Sequence, residues 1–487
     1  MTRVVIVGAG VTGLTAAWAL RRARPELDVV VLESRSRAGG NVISVREGGF
    51  LIDGGPDAFI RTKPDAVQLC RELGIADTLA APRPESRRVY VVRRGRLREL
   101  PVGMSLAVPT RLGPLFGTPL VSWRGKLDAA LEPLRPAGRD LAEDESIEDF
   151  FARRVGRDLA RDVAGPLLAG IYAGNPRELS LRATFPQLLD LEAKHGSLTL
   201  GLLRAARARA GGPQLPPRGG FAARLDGALQ LARAPAPPAE PESPFLAPRL
   251  GMGKLVEALA RELPPGALRL GTPVRSVRVT GRAARLEVLV ESGTRLEARH
   301  VVLACPAHAA SAMVPDERLA RELGGIEYAS TATVFFALDR AQVAHPLDAS
   351  GFIASERESA LLAATWVSTK WEGRAPAGSV LLRAFVGGRR DPRRVETSTD
   401  EQLARFARRE LERLMGPLGQ PRFMRVFRWE RANPQPVVGH LARLKRLAAC
   451  VAAVPGLHLA GAAYDGVGIP DCVRQARAVA TRILAEP

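Results

Sequence analysis

Residues 3–20 have the sequence RVVIVGAGVTGLTAAWAL, and this stretch decides the fold. An apolar run at 4–7 leads directly into a Gly-x-Gly-x-x-Gly loop at 8–13, after which a helical pattern begins. A second apolar run, at 29–32, ends in Glu33, about twenty residues past the last glycine. This order of strand, glycine loop, helix, strand and acidic residue predicts a βαβ unit that binds a dinucleotide.

Each loop position fits a pyrophosphate contact. Gly8 permits the tight turn, Gly10 lets the backbone approach the phosphates, and Gly13 lets the helix pack closely on the strand. The helix N-terminus, which begins with Val11 and Thr12, offers backbone N–H donors to an anion. We therefore expect the pyrophosphate at this turn.

The segment that begins with Glu33 favours FAD over NAD. Glu33 is expected to accept hydrogen bonds from a ribose diol, and residues 34–40 continue as SRSRAGG. An arginine followed by paired glycines suits a second pyrophosphate contact, which an ordinary NAD domain lacks. A stiff turn at 54–56 could then place backbone against a ring system. The sequence has no second Gly-x-Gly-x-x-Gly, so we do not expect a separate NAD(P)H domain. The cofactor contacts predicted in these two segments are Glu33, Ser34, Arg37, Gly39, Gly40, Gly54, Gly55 and Pro56.

The size and composition of the chain limit its class. A chain of 487 residues predicts two or three domains. It has no run of about 18 apolar residues and no recognisable signal peptide, so we expect no membrane-spanning helix. The four cysteines form no metal-binding spacing, so we expect reduced thiols, no metal and a cytoplasmic protein. They are Cys70, Cys305, Cys450 and Cys472.

The formal net charge of +19 leaves several partners open. Aromatic residues are only 5% of the chain and basic residues are spread along it, so we expect no nucleic acid. An anionic lipid surface, an acidic substrate and a compositional bias toward arginine each remain open as an explanation. Residues 101–127 mix leucine, phenylalanine and tryptophan with three basic residues, which suits a surface that lies on a membrane without crossing it. An ordinary helix–loop surface would also fit this composition.

The N-terminal unit and the tail, LAGAAYDGVGIPDC at 459–472, resemble the flavin-dependent amine oxidase and phytoene desaturase superfamily. Within it, three internal stretches resemble the oxygen-dependent protoporphyrinogen or coproporphyrinogen oxidases of haem synthesis. They are GIYAGNP at 170–176, GRAP at 373–376 with FVGG at 385–388, and RW at 428–429 with PQ at 434–435. The likeness covers most of the chain apart from a Pro-rich linker at 211–248.

The resemblance implies an α/β fold with a discontinuous Rossmann-like FAD-binding domain, an α+β substrate domain and an inserted helical membrane-association domain. The FAD domain would comprise 1–80, 249–312 and 435–487, the substrate domain 81–105, 213–248 and 313–434, and the helical domain 106–212.

The resemblance implies an activity as well. A porphyrinogen over the flavin would be oxidised to the porphyrin in three two-electron steps, with oxygen as acceptor. Protoporphyrinogen IX is favoured as the substrate, and coproporphyrinogen III is the second choice. Two different functions also fit a flavin fold: a desaturase or amine oxidase that acts on another apolar substrate, and a non-catalytic flavin-fold binding protein.

The resemblance also implies further site residues. Cofactor contacts would come from Val274, Trp429, Gly461, Ala462, Gly466, Val467 and Gly468. Substrate contacts would come from Arg87 or Arg88, Gly170, Ile353 and Trp371. No protein base is assigned: His308 and His440 are candidates by residue type only, and a structural role is the favoured interpretation of each.

The implied partners are FAD, a porphyrinogen, molecular oxygen and the surface of the cytoplasmic membrane, with ferrochelatase or another haem-pathway enzyme and a second copy of the chain as further expectations. Three positions depart from the family pattern: Asn41, Pro436 and Ala462. Many relatives carry Asp or Asn at the last of these, where the side chain bonds the ribityl chain or a phosphate. Since alanine cannot do so, we expect FAD to bind here through backbone N–H groups.

Overall fold

The computed structural model describes residues 3–138, 143–209, 243–280 and 285–486, and these form two compact units. Unit 1 is Met1–Pro82, Pro244–Tyr328 and His440–Pro487, and unit 2 is Arg83–Ser243 and Ala329–Gly439. The predicted FAD domain has nearly the same ranges as unit 1. The middle segment of unit 1 ends at Tyr328, where the prediction has 312, and its last segment begins at His440, where the prediction has 435. The predicted substrate and helical domains share unit 2, and their separation stays a prediction.

Elements are numbered along the chain. The strands of unit 1 are β1 Arg3–Val7, β2 Asp28–Leu32, β3 Ser44–Glu47, β4 Phe50–Asp53, β5 Phe59–Ile60, β6 Leu79–Ala80, β11 Phe245–Pro248, β12 Leu268–Arg269, β13 Val274–Thr280, β14 Arg285–Val290, β15 Arg295–Ala298, β16 His300–Leu303 and β22 Leu457–Leu459. Its helices are α1 Val11–Ala23, α2 Asp65–Glu72, α12 Gly253–Arg261, α13 Ala307–Met313, α14 Glu317–Gly324, α18 His440–Ala452 and α19 Ile469–Ala485.

A parallel five-stranded sheet in the order β12-β2-β1-β16-β22 forms the centre of unit 1. Its middle strand is apolar and buried from Val4 to Val7, as expected where helices cover both faces. Helix α19 packs beside α1, so the two ends of the chain meet in one unit. Residues 245–248 are part of the predicted linker, yet they form β11, which pairs with β5 and β6. Most of the predicted linker lies outside the described residues.

The strands of unit 2 are β7 Tyr90–Arg93, β8 Arg96–Glu99, β9 Met104–Ser105, β10 Val108–Pro109, β17 Glu327–Asp339 (which begins in unit 1), β18 Gly351–Ile353, β19 Ala363–Trp366, β20 Ser379–Gly387 and β21 Phe423–Gln435. Its helices are α3 Leu112–Gly117, α4 Trp123–Ala130, α5 Ile147–Val155, α6 Arg157–Leu159, α7 Gly165–Ala169, α8 Leu181–Thr184, α9 Pro186–His195, α10 Leu198–Arg209, α15 Val367–Lys370, α16 Pro392–Thr397 and α17 Asp400–Met415. None of the described helices is both long and apolar enough to cross a bilayer.

A seven-stranded sheet in the order β21-β17-β20-β19-β18-β7-β8 organises unit 2. Helix α17 covers one face with Leu403, Ala407 and Leu411, one helical turn apart, which pack in a core with alternate residues of the strands. A capping box starts this helix, because Thr399 and Gln402 each bond the other's backbone N–H. The remaining alternate residues of the strands therefore lie on the opposite face of the sheet.

Candidate cofactor and substrate sites

The glycine loop at 8–13 forms a cradle between β1 and α1. A Cβ on Gly13 would lie 1.9 Å from the carbonyl oxygen of Gly8, so the tight turn requires glycine there. At Gly10 no protein atom would lie within 4 Å of a Cβ, so this position faces open space. No side chain caps α1, and Leu14 is the first residue of the helix whose N–H reaches an acceptor, the carbonyl of Gly10. The N–H groups at Val11, Thr12 and Gly13 thus remain for an anion.

The arginine–glycine segment lies against this loop. The N–H of Gly39 donates to the carbonyl of Ala9 at 2.8 Å, and Gly10 and Gly39 form a parallel bridge. The guanidinium of Arg37 donates to the carbonyls of Ala38, Gly40 and Val42, which fastens its own loop. Burial, with the neighbouring Arg35, lowers the pKa of Arg37. The phosphate contact expected from Arg37 stays a prediction, since its hydrogen bonds go to backbone carbonyls of its own loop.

Glu33 sits at the end of β2, as the ribose role requires. One carboxylate oxygen accepts from the N–H of Ala9 at 2.8 Å and the other from that of Arg35 at 2.9 Å, while Ser34 Oγ lies 3.3 Å away. The oxygen that accepts from Ala9 has a further lone pair for a hydroxyl group, whereas the other also accepts from Ser34 Oγ. The N–H of Thr272 donates to the carbonyl of Glu33, which brings this part of the chain next to the end of β2. Strand β13 begins two residues later, at Val274, where a cofactor contact is predicted.

A buried anchor beside the Gly54-Gly55-Pro56 turn was missed by the sequence analysis. Asp53 ends β4, accepts from Ser44 Oγ at 2.5 Å and accepts from the N–H of Met252 at 2.9 Å. Ser44 Oγ in turn accepts from the N–H of Gly253 at 2.7 Å. These bonds fix the N-terminus of α12 to the turn. The hydrophobic pattern gave no sign of them, because the partners are about 200 residues apart.

The tail residues lie between β22 and α19, at the carboxyl end of the same sheet. They are Gly461, Ala462, Gly466, Val467 and Gly468, and the last is the N-cap of α19 with no side-chain cap. Gly461 has φ +144 and its N–H donates to Gln475 Oε1 at 3.2 Å. Helices α1 and α19 of unit 1 both begin after a glycine N-cap, and no side chain caps either of them.

An ion pair between the exposed Lys63 and the buried Asp471, which the sequence analysis also missed, lies next to the tail loop. Asp471 lies in the first turn of α19 and receives Lys63 Nζ on both oxygens, at 2.7 and 2.8 Å. Its carboxylate packs so closely that a Cβ on Gly466 would lie 2.5 Å from its Cγ. Asp471 therefore holds the loop in shape, and the ammonium of Lys63 offsets its charge.

Other candidates in and near unit 1 show no reactive environment. Burial raises the pKa of Cys305, beside the glycine loop, to about 12 and that of Cys472 to about 11, so both stay thiols at neutral pH. His308 packs edge-to-face on Tyr328, and His440 is buried at the start of α18. Trp429 lies on β21 in unit 2, apart from the other predicted cofactor residues in sequence and in unit.

The three stretches that carried the family resemblance meet in unit 2. The N–H of Arg389, at the end of β20, donates to the carbonyl of Ala173 at 2.9 Å. Gln435 Nε2 donates to the carbonyl of Tyr172 at 2.8 Å. Gly170, at the rim of this turn, is exposed, and Ile171 beside it is 60% exposed.

Ile353 belongs to a row of side chains across the sheet. The register places Val91, Ile353, Ala363 and Phe385 next to one another on neighbouring strands. None of them belongs to the core under α17, so the row lies on the opposite face.

The two arginine candidates differ in their surroundings. Both arginines are exposed, and Arg88 forms an ion pair with Asp348 at 2.9 Å, with Glu99 at 3.9 Å. Trp371 is only 3% exposed, so its ring offers little surface to a substrate. Nearby, a cavity of about 360 Å³ is lined by residues that include Arg83, Arg340 and Arg374.

Comparisons with known proteins agree along the whole chain. The model of the family of flavin-containing amine oxidoreductases matches residues 11–484. A coproporphyrinogen III oxidase of Bacillus subtilis (strain 168) is 33% identical and covers 99% of this chain and 97% of its own length. A chloroplastic protoporphyrinogen oxidase of Nicotiana tabacum is 28% identical over 98% of this chain and 85% of its own. A crystal structure from Exiguobacterium sp. 255-15, assigned as a protoporphyrinogen oxidase, superposes with a TM-score of 0.84 at 31% identity and covers 100% of this chain and 99% of its own.

Proposed function

From the premise that this chain belongs to the flavin-containing amine oxidoreductases, we propose that it oxidises a porphyrinogen to the porphyrin in haem biosynthesis. The observation that carries the proposal is the full-length similarity to a coproporphyrinogen III oxidase at 33% identity. The predicted flavin cofactor, the oxidoreductase class and the family resemblance are confirmed by the family match and the named relatives. Oxygen as the acceptor stays a prediction.

The cradle in unit 1 fits FAD. Flavin, when bound, supplies the hydride acceptor, so the chain itself must bind, orient and shield. The N–H groups at Val11, Thr12 and Gly13 would hold the pyrophosphate, and the carboxylate oxygen of Glu33 that accepts only from Ala9 would hold the ribose. The positive end of α19 would favour negative charge beside the tail loop, and the Lys63 ammonium would offset the carboxylate of Asp471 there.

Coproporphyrinogen III is the substrate to test first, although the sequence alone favoured protoporphyrinogen IX. The coproporphyrinogen III oxidase of Bacillus subtilis is more similar to this chain than the chloroplastic protoporphyrinogen oxidase of Nicotiana tabacum, at 33% against 28% identity. Coproporphyrinogen carries more carboxylates, and the cavity lined by Arg83, Arg340 and Arg374, with one carboxylate from Glu85, offers a net positive surface to an acidic molecule. Arg87 and Arg88 both stay candidates for a propionate contact.

A visible spectrum and a fluorescence assay test the proposal. Purified protein should show a flavin band and should convert coproporphyrinogen III to the fluorescent porphyrin faster than the air control. Protoporphyrinogen IX is offered in parallel. A flavin band with no acceleration of either substrate would refute porphyrinogen oxidation and would favour a different apolar substrate, whereas absence of the band would favour a non-catalytic binding protein.

We also propose that α4 lies on an anionic membrane surface. Trp123, Leu127 and Leu131 recur at every fourth position and are 68%, 56% and 51% exposed, so they form an apolar stripe that faces solvent. Arg124, also exposed, stands next to the stripe. Such a stripe suits an enzyme whose product is an apolar macrocycle.

Vesicle sedimentation tests this surface. The protein should pellet with vesicles that contain phosphatidylglycerol, and replacement of Trp123, Leu127 and Leu131 by serine should abolish pelleting. The matched control replaces Val279 and Met424, which are 51% and 46% exposed elsewhere, and should pellet normally. Equal pelleting of both variants would refute a role of the stripe.

A further inference from the structure

A cluster of two histidines and a glutamate lies in unit 1, away from the glycine loop. His300 begins β16, His458 lies on the neighbouring parallel strand β22, and Glu486 follows the end of α19. His300 Nδ1 and His458 Nε2 are 3.2 Å apart, and Glu486 Oε2 lies 3.9 Å from His300 Nε2. The glycine loop meets the other, carboxyl, end of β16, about 10 Å along the strand.

The two imidazoles are suited to be metal ligands. Both rings are buried, so they need partners for their ring nitrogens, while Glu486 is half-exposed and can reorient. A neutral imidazole keeps a lone pair on one ring nitrogen, and this is the form that ligates a metal.

The geometry of the cluster is close to that of a tetrahedral site. One ligand atom from each of the three residues lies within 4.8 Å of the other two. With metal–nitrogen bonds of about 2.0–2.1 Å, two ligands of a tetrahedral zinc lie roughly 3.3 Å apart. The 3.2 Å between His300 Nδ1 and His458 Nε2 agrees with this edge, and the half-exposed Glu486, which lies 3.9 Å from the other ring nitrogen of His300, must rotate to complete the site. Two histidines with one carboxylate also form a ligand set that zinc accepts.

We infer that His300, His458 and Glu486 form a binding site for a divalent cation of the zinc type. A bound ion would connect β16, β22 and the end of α19, so its role would be to fix the tail helix rather than to take part in oxidation. The competing interpretation is a simple hydrogen bond between the two rings, in which one N–H donates to the other nitrogen. Arg299 and Arg482 are the nearby cations that a bound ion would have to tolerate.

Zinc titration of the tag-free, flavin-bound protein tests the inference. After treatment with EDTA and its removal, calorimetry with zinc chloride should show one site per chain, and cobalt chloride should give a visible band of a tetrahedral ion. Zinc should also raise the melting temperature. His458→Gln keeps a hydrogen-bonding side chain but should weaken zinc binding at least about 100-fold, since loss even of outer partners costs about 10–100-fold.

Two further variants make the outcome decisive. Glu486→Gln, at a half-exposed position that should fold normally, should weaken zinc binding about 10-fold or more. The control His195→Gln, in unit 2, should bind zinc like the wild type. The inference is overturned if the wild type shows no single site, or if His458→Gln and Glu486→Gln both bind zinc as the control does.

Discussion

Gly10 and Gly13 lie one helical turn apart in the same loop, yet the structure predicts different consequences for their replacement by alanine. A Cβ on Gly13 would lie 1.9 Å from the carbonyl oxygen of Gly8, where carbon and oxygen need roughly 3.3 Å. The helix or the loop must therefore move by about 1.4 Å. The loop resists, because the N–H of Gly8 is bonded to the carbonyl of Leu32 at 2.7 Å.

The cost of Gly13→Ala can be worked out from these contacts. Overpacking costs about 1–3 kcal/mol, and a rigid backbone partner places this site at the upper end. The helix propensity of alanine returns up to about 1 kcal/mol. We expect a net loss of about 2 kcal/mol in the free energy of unfolding, together with weaker flavin binding because the N–H groups of α1 shift.

Gly10→Ala should lower stability less than Gly13→Ala does. Gly10 has φ −70 and ψ 177, a conformation that any residue adopts, and no protein atom would lie within 4 Å of the added methyl group. Alanine is a poorer N-cap than glycine, so we expect a loss of up to about 1 kcal/mol in the free energy of unfolding. If the pyrophosphate lies against this backbone, the methyl group should weaken FAD binding about 10-fold or more, equivalent to about 1.4 kcal/mol.

Two measurements separate these effects. Urea unfolding of the apoprotein gives the free energy of unfolding, and quenching of flavin fluorescence gives the dissociation constant of FAD. Wild-type FAD affinity in Gly10→Ala would refute the placement of the pyrophosphate at this loop. Wild-type stability in Gly13→Ala would refute the close approach of helix and strand.

Three further predictions concern the charge of Lys63, the alanine at position 462 and the dependence of stability on pH. Lys63→Met leaves the buried Asp471 carboxylate without its ammonium, so the midpoint potential of the bound flavin should fall by roughly 30 mV, and an unchanged potential would place the pair away from the flavin. Ala462→Asn should lower the dissociation constant of FAD, and an unchanged value would show that no side chain is needed there. In EDTA, stability should fall as pH drops from about 6.5 to about 4, because the unfolded chain protonates its histidines before the folded chain protonates His458. His458→Gln should flatten this part of the urea-derived stability profile, and an unchanged profile would assign the loss to other groups.

The βαβ unit could be predicted because its determinants are local. Apolar runs, glycines and Glu33 stand in a fixed order within about 30 residues, and each constrains the backbone where it stands. The N-cap at Ser146 is also a local signal, since a serine with an acidic residue three positions later is typical of a helix start. Ser146 Oγ accepts from the N–H of Asp149 at 3.1 Å, and α5 begins at Ile147. Pro470 is a local signal of the same kind, because proline favours the first turn of a helix and α19 begins at Ile469.

The missed interactions join residues that are far apart in the sequence. Ser44 and Asp53 fix residues about 200 positions away, and Lys63 meets Asp471 at a separation of 408. Periodicity describes which face of an element is apolar, but it carries no information on which charged residue meets which. The sequence also could not show that Arg88 forms an ion pair, because its partner Asp348 lies 260 residues away.

The tail helix α19 connects the candidate cofactor site with the candidate metal site. Its first turn holds Asp471 behind the tail loop, whereas the residue after its last turn is Glu486. Its length of 17 residues corresponds to about 25 Å, so an ion at one end lies too far from the other to act on a flavin by charge at physiological salt. Coupling between the two ends must then run through the rigidity of the helix. Zinc should accordingly slow flavin release without changing the flavin potential, whereas Lys63→Met should change the potential in the presence or absence of zinc.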